Sequence, residues 1–163
     1  MDLVELITLR QELADDCRVL RETTEKCAAH LRDTHSGRLE AAAFELARSY
    51  NILEQAGLRV ARAFENHFEK DGGWHEGLLH RLTPAIPGIR PPFFPAALRP
   101  ALDELRRFRH FVHHAYDLEL REDRIQELAA SVQSLGPAMG ETCERFVRQV
   151  AQANGWTWPL EGG

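Results

Sequence analysis

No stretch of this chain approaches the ~18 consecutive apolar residues that a membrane span needs, and none alternates apolar with polar residues in the two-residue period of a strand. Internal repeats and low-complexity tracts are also missing. The start carries Asp2 and Glu5, without the basic residues and apolar segment of a secretory signal. The expectation is a cytoplasmic protein with no membrane partner. Cysteine is scarce, at three residues. Cys17 and Cys27 lie on one helical pattern, separated by roughly 15 Å along the axis, beyond the ~7 Å Cα reach of a disulfide. Cys143 reads as another small core residue. Three isolated thiols suit a reducing compartment and exclude a disulfide scaffold. His67, His75 and His80 are not completed by Cys or carboxylate ligands at zinc-binding spacing, so no metal and no cofactor are expected.

What is present is helical periodicity over nearly the whole length. At 163 residues the chain can bury one substantial core, and residues 1–163 read as a single domain with a core at 2–152 and a tail at 153–163. Leu6, Leu13, Leu20 and Cys27 repeat every seven residues along a helix expected from Leu3 to Arg32, with Leu3, Cys17 and Leu31 beside them. Asp2 and Glu5 supply a helix cap. A second helix is expected over 38–68, striped by Leu39, Leu46, Leu53, Val60 and His67, with small residues from Ala42 to Ala63 that permit close packing. A short helix follows at 75–82. Five of the eight prolines fall between Thr83 and Pro95, which excludes regular structure there. Ile86, Ile89, Phe93 and Phe94 are too apolar for a free linker, so the segment reads as a loop pinned to the bundle. A third long helix begins between Pro95 and Pro100 and runs to Asp117, aligning Leu98, Leu102, Leu105, Val112 and Tyr116. A final helical region spans 121–154, with Gly136-Pro137 expected to kink or divide it, and a tail that docks by its tryptophans. The fold class is all-α, a bundle of four to five helices with a Pro-rich loop before the third long one.

Charge is unevenly placed. The net value is -5, yet between Gly73 and His114 six arginines face three acids, and five of the eight histidines lie there. A basic segment on an acidic body favours a polyanion at one place rather than everywhere. The segment culminates in Arg106-Arg107-Phe108-Arg109-His110-Phe111-Val112-His113-His114-Ala115-Tyr116. Within it, Arg109 and His114 are separated by about 140° around a helix, whereas His110 and His114 share a face. For Arg109 and His114 to meet one ligand, the arginine must curl around the helix or a second helix must contribute, as in a symmetric dimer. Imidazole exchanges protons near its ordinary pKa of ~6.5, and guanidinium grips phosphate oxygens bidentately. With no carboxylate cluster for Mg²⁺ beside them, these groups fit metal-free transphosphorylation of RNA. Arg106 and Arg107 are either RNA-backbone contacts or solvated surface. His113 can pair with Asp117. Trp74, Phe93 and Phe94 are either base-stacking groups or packing for the loop.

Arg109-His110-Phe111-Val112-His113-His114-Ala115-Tyr116 resembles the signature of HEPN-domain proteins of the HepT type: Arg, a polar residue, three residues, His, one residue, Tyr. The architectural resemblance covers about residues 2–152 and the specific identity only 109–116. It implies a HEPN-like bundle acting as a metal-independent endoribonuclease toxin on RNA, tRNA and mRNA both being open as targets. It also implies a homodimer whose cleft is lined by catalytic Arg109 and His114 from both protomers, with His110 in support. The implied partner is an MNT-type nucleotidyltransferase antitoxin, and Tyr116 matches the tyrosine that can receive AMP, although its alignment with Leu102, Leu105 and Val112 also suits plain burial. The alternative function is a non-catalytic helical module that binds nucleotides or the nucleotidyltransferase.

Overall fold

The computed structural model describes residues 1–65, 74–114 and 119–159, with the side chains of 74–76 left aside. Its helices are α1 (Leu3–Arg32), α2 (Arg38–Phe64), α3 (Trp74–Leu82), α4 (Arg99–His114) and α5 (Glu122–Ala153), and no strand occurs among the described residues. The all-α expectation holds. The second helix stops at Phe64, short of the end expected near 68, because Glu65 turns to extended backbone as its C-cap; the end expected near 117 for the third long helix lies outside the described residues, as do His67 and Tyr116.

Each helix follows from its local chemistry. Asp2 accepts from the Glu5 backbone N–H at 2.8 Å and Glu5 accepts from that of Asp2 at 2.7 Å, the reciprocal capping box. The heptad row Leu6, Leu13, Leu20 and Cys27 is buried and faces α2, the helix with which α1 makes its most extensive contact. Ala42, Ala43, Ala56 and Ala61 are buried on α2 and allow the close approach. Gly57 has the same role toward the other side of α2. A Cβ there would meet Leu82 at 3.0 Å, Phe94 at 3.2 Å and Leu78 at 3.3 Å.

Helix α5 is not divided at Gly136-Pro137; it runs unbroken through Pro137. The proline removes one backbone donor. Pro137 and Gln133, whose carbonyl loses that donor, are both on the exposed side of the helix, where solvent can take the place of the missing bond. The stripe on the other side, Ile125, Leu128, Val132, Leu135, Met139, Cys143, Phe146 and Val150, stays buried throughout. Apolar residues from all five helices join in one cluster, and Trp156 and Trp158 of the tail pack on its edge. The Trp158 ring lies beneath the guanidinium groups of Arg10 at 5.1 Å and Arg148 at 5.5 Å.

The Pro-rich loop is pinned, by two phenylalanines and one arginine. Phe93 and Phe94 are fully buried, and Phe93 meets Phe146 edge-on at 5.2 Å. Each such ring contributes about 2–3 kcal/mol through burial. Packing is therefore their role, not base stacking. Arg90 has a side chain with no exposure. Its Nε and Nη2 donate to Glu65 at 3.0 and 2.9 Å, and its remaining N–H groups reach the carbonyls of Arg81, Pro84 and Pro91. Ile89, by contrast, is exposed.

Removing one partner of a buried ion pair strands the other charge. Arg90→Met is expected to lower the unfolding free energy by about 3 kcal/mol, read from denaturant titration. A loss under about 1 kcal/mol would mean that the phenylalanines alone hold the loop.

Candidate functional site

Helix α4 carries every candidate residue except Tyr116. One face is committed to the core by Leu102, Leu105 and Phe108, with Leu98 and Val112 half-buried alongside. Phe108 was not in the apolar row read from the sequence, because Arg106, Arg107 and Arg109 around it mask the periodicity. The other faces are left for polar groups, and the structure sorts them into two sets.

His110 and His114 form the first set. Their rings stack one turn apart, 4.1 Å between centroids and 23° between planes. His114 Nδ1 lies 2.9 Å from the His110 backbone carbonyl. A carbonyl only accepts, so Nδ1 carries the proton and donates it. In the neutral ring the lone pair therefore belongs to Nε2. Both histidines are exposed and, with Arg106, Arg107 and Phe111, line an open cavity of about 450 Å³. A basic nitrogen with its tautomer fixed, next to two guanidinium groups, can take a proton from a hydroxyl beside a phosphate. Once protonated it can return that proton to a leaving oxygen.

Arg109 belongs to the second set. It turns toward α2, where its Nε donates to Asn51 Oδ1 at 3.0 Å. A bond at Nε fixes the guanidinium plane without using the terminal fork that grips phosphate. Arg109 is not among the residues lining the histidine cavity. Within one protomer the cavity brings Arg106 and Arg107, not Arg109, beside His110 and His114. The angular separation of Arg109 and His114 on α4 is realised as two different neighbourhoods.

Behind Arg109, α2 places Tyr50 and Glu54, both buried. Burial first, then the Glu54 carboxylate, pushes the Tyr50 hydroxyl far above its ordinary pKa; Arg106 and Arg109 oppose part of that shift. That shift favours the neutral phenol at Tyr50. Asn51, Tyr50 and Glu54 were not singled out from the sequence. The available signal was the polar pair Tyr50 and Glu54 inside the apolar stripe of Leu46 and Leu53.

The acids near α4 are already engaged. Arg106 meets Asp103 at 3.5 Å, and Arg124 of α5 pairs with Glu104. His80 is bonded by Arg99 at 2.7 Å. Among the described residues no group of three His, Cys, Asp or Glu side chains is placed to hold a metal ion. Tyr116 and Asp117, the proposed partner of His113, lie outside the described residues, and the side chains of Trp74 and His75 are likewise not described.

Residues 41–150, well over half of the chain, match a family model whose description is HepT-like protein. No curated protein and no solved structure matches.

The tautomer is directly measurable. Long-range ¹⁵N–¹H correlation spectra above the ring's titration are expected to show His114 protonated at Nδ1 and unprotonated at Nε2. His110→Ala should leave that pattern in place, because the acceptor is backbone. A dominant Nε2–H form in the native protein contradicts the geometry.

Proposed function

Because the chain belongs to the HepT-like family, we propose that it is a metal-independent endoribonuclease and the toxin of a toxin–antitoxin pair. The observation that carries this reading is the His114 ring. Its Nδ1 is anchored to the His110 carbonyl, its Nε2 is left as the reactive nitrogen, and it stands in a cavity shared with Arg106 and Arg107. In the reaction a His114 Nε2 removes the proton from a ribose 2'-hydroxyl. The 2'-oxygen attacks the adjacent phosphorus and the bond to the 5'-oxygen breaks. A protonated imidazole gives that oxygen its proton, leaving a cyclic phosphate and a free 5'-hydroxyl. Guanidinium groups stabilise the charge that gathers on the phosphoryl oxygens in the transition state, where preorganised donors are worth most.

A homodimer supplies what one protomer separates. Phe111 is exposed at 46% on the motif helix and borders the histidine cavity. It provides an apolar contact on the face where a second α4 would bring its own Arg109 and His114. His110 supports the site by stacking on His114. The nucleotidyltransferase partner and AMP transfer to Tyr116 rest on the motif resemblance. No helix of the described residues is long and apolar enough to cross a membrane.

A second reading is favoured by one observation: Arg109 is bonded to Asn51 rather than turned into the histidine cavity. On that reading the chain is a non-catalytic module that binds nucleotides or its nucleotidyltransferase, and its acidic net charge of -5 agrees with a protein partner better than with bulk RNA.

Purified protein incubated with tRNA or mRNA in EDTA is expected to cleave the substrate to products ending in a cyclic phosphate. His114→Ala and Arg109→Ala should each reduce the rate by about 10²-fold or more, and Asn51→Ala by less, since it only orients Arg109. Sedimentation is expected to give a dimer at working concentration. No cleavage by wild type, or equal cleavage by His114→Ala, discards the nuclease. Nucleotide binding by calorimetry without any cleavage selects the second reading.

A further inference from the structure

The cysteines read from the sequence as three unrelated core residues are not unrelated in space. Cys17 on α1 and Cys143 on α5 face each other with their sulfurs 3.7 Å apart, although 126 positions separate them in the chain. Both are free thiols. A cavity of about 220 Å³ opens onto the pair, lined also by Arg10, Arg21 and Glu144. A small oxidant can reach the sulfurs through it.

The two thiols are unequal. The hydrogen bond between Cys17 and Cys143 holds the Cys17 thiol below its ordinary pKa; burial and the carboxylates of Asp16 and Glu144 oppose this, and Arg21 adds to it. The same bond, followed by burial, drives Cys143 far upward. Cys17 is thus the sulfur of the pair more readily made nucleophilic. Cys27 behaves differently: its sulfur donates to the Ala42 carbonyl at 3.7 Å, and burial, with Glu45 adding, pushes its pKa up to about 11. It serves as an internal control for inert thiol chemistry.

We propose that Cys17 and Cys143 form a redox modification site, closed to an intramolecular disulfide by a hydroperoxide and reopened by thiol reductants. The Cys17 thiolate attacks one oxygen of hydrogen peroxide, the O–O bond breaks, and the departing hydroxide takes a proton to become water, leaving Cys17 as a sulfenic acid. Cys143 then attacks the Cys17 sulfur. The S–O bond breaks, hydroxide leaves with the Cys143 proton as a second water, and the S–S bond forms. Two thiols are oxidised and one peroxide is reduced to two waters. Two equivalents of a small thiol reverse the change and end as their own disulfide. The sulfurs must close from 3.7 Å to about 2.05 Å across the α1–α5 seam. The product ties the first helix to the last and constrains the unfolded chain over a very long loop, the case in which a cross-link stabilises most. It lies on the α1–α5 seam, away from the α4 cavity, and does not depend on the nuclease reading.

Peroxide titration of the folded full-length chain, quenching with an alkylating agent and digestion without reductant tests this directly. The expected result is loss of two of the three free thiols, a Cys17–Cys143 cross-linked peptide, no cross-link between chains, and recovery on adding dithiothreitol. The cross-linked protein should melt about 5 °C or more above the reduced one. Cys143→Ser should lose the cross-linked peptide while Cys17 still oxidises. Three thiols surviving peroxide, cross-links through Cys27 or between chains, or Cys17 over-oxidised in wild type without a cross-linked peptide each overturn the proposal. A cross-linked protein with an unchanged melting temperature overturns the clamp.

Discussion

A guanidinium with no solvent exposure has to be answered by protein atoms at every donor, and Arg90 is answered by Glu65 and three backbone carbonyls. Those partners come from just after α2, from α3 and from the Pro-rich loop itself. One side chain therefore ties three consecutive segments together at the point where the chain turns back along the bundle. The loop cannot drift without exposing a buried carboxylate or leaving carbonyls unpaired. Its two buried phenylalanines then pack against α2 and α5, and α4 begins where this assembly leaves it. The position of the motif helix rests on that constraint.

Once α4 is fixed by Leu102, Leu105 and Phe108, helical geometry decides what the motif can be. Residues five apart on one helix diverge, so a core-facing α4 must send Arg109 and His114 to different neighbours. Arg109 goes to Asn51, at the α2 seam, while His114 stacks on His110 at the solvent edge. Within one protomer the oriented cation and the oriented imidazole therefore face different neighbours. In the homodimer proposed above, two copies of this helix related by a two-fold axis would each supply what the other lacks. For the nuclease proposed above, the same geometry calls for two protomers rather than one.

The helices were legible in the sequence because each is written in local periodicity. The seven-residue row on α1 and the Asp2–Glu5 cap need no knowledge of distant residues. The pinned loop was legible in kind, since Phe93 and Phe94 are too apolar for solvent. Its agent was not, because Arg90 and Glu65 are 25 positions apart and neither is unusual for its neighbourhood. Gly136-Pro137 does not divide α5, because a local rule against proline in helices is outweighed by a buried stripe on both sides of it. The motif itself was found from its charge and spacing. Asn51, Tyr50 and Glu54 were not found, since only the packing of α2 against α4 makes them neighbours of Arg109. Cys17 and Cys143 were missed in the same way, across 126 positions.

The uneven charge acquires a physical sense from this arrangement. Acidic side chains on the body are largely matched within the bundle, as Arg59 with Glu12 and Asp16, Arg10 with Glu144, and Arg38 with Glu122. Matched pairs cost little and attract nothing at a distance, because salt screens them beyond about 10 Å. Arg106, itself paired with Asp103 at 3.5 Å, and Arg107 line an open cavity with two imidazoles. A net charge of -5 spread over a paired surface therefore does not oppose an anion arriving at that cavity as strongly as the sum suggests. It opposes anions that settle elsewhere. For the nuclease proposed above, the place where RNA would settle follows from which cations line that cavity rather than from the total charge.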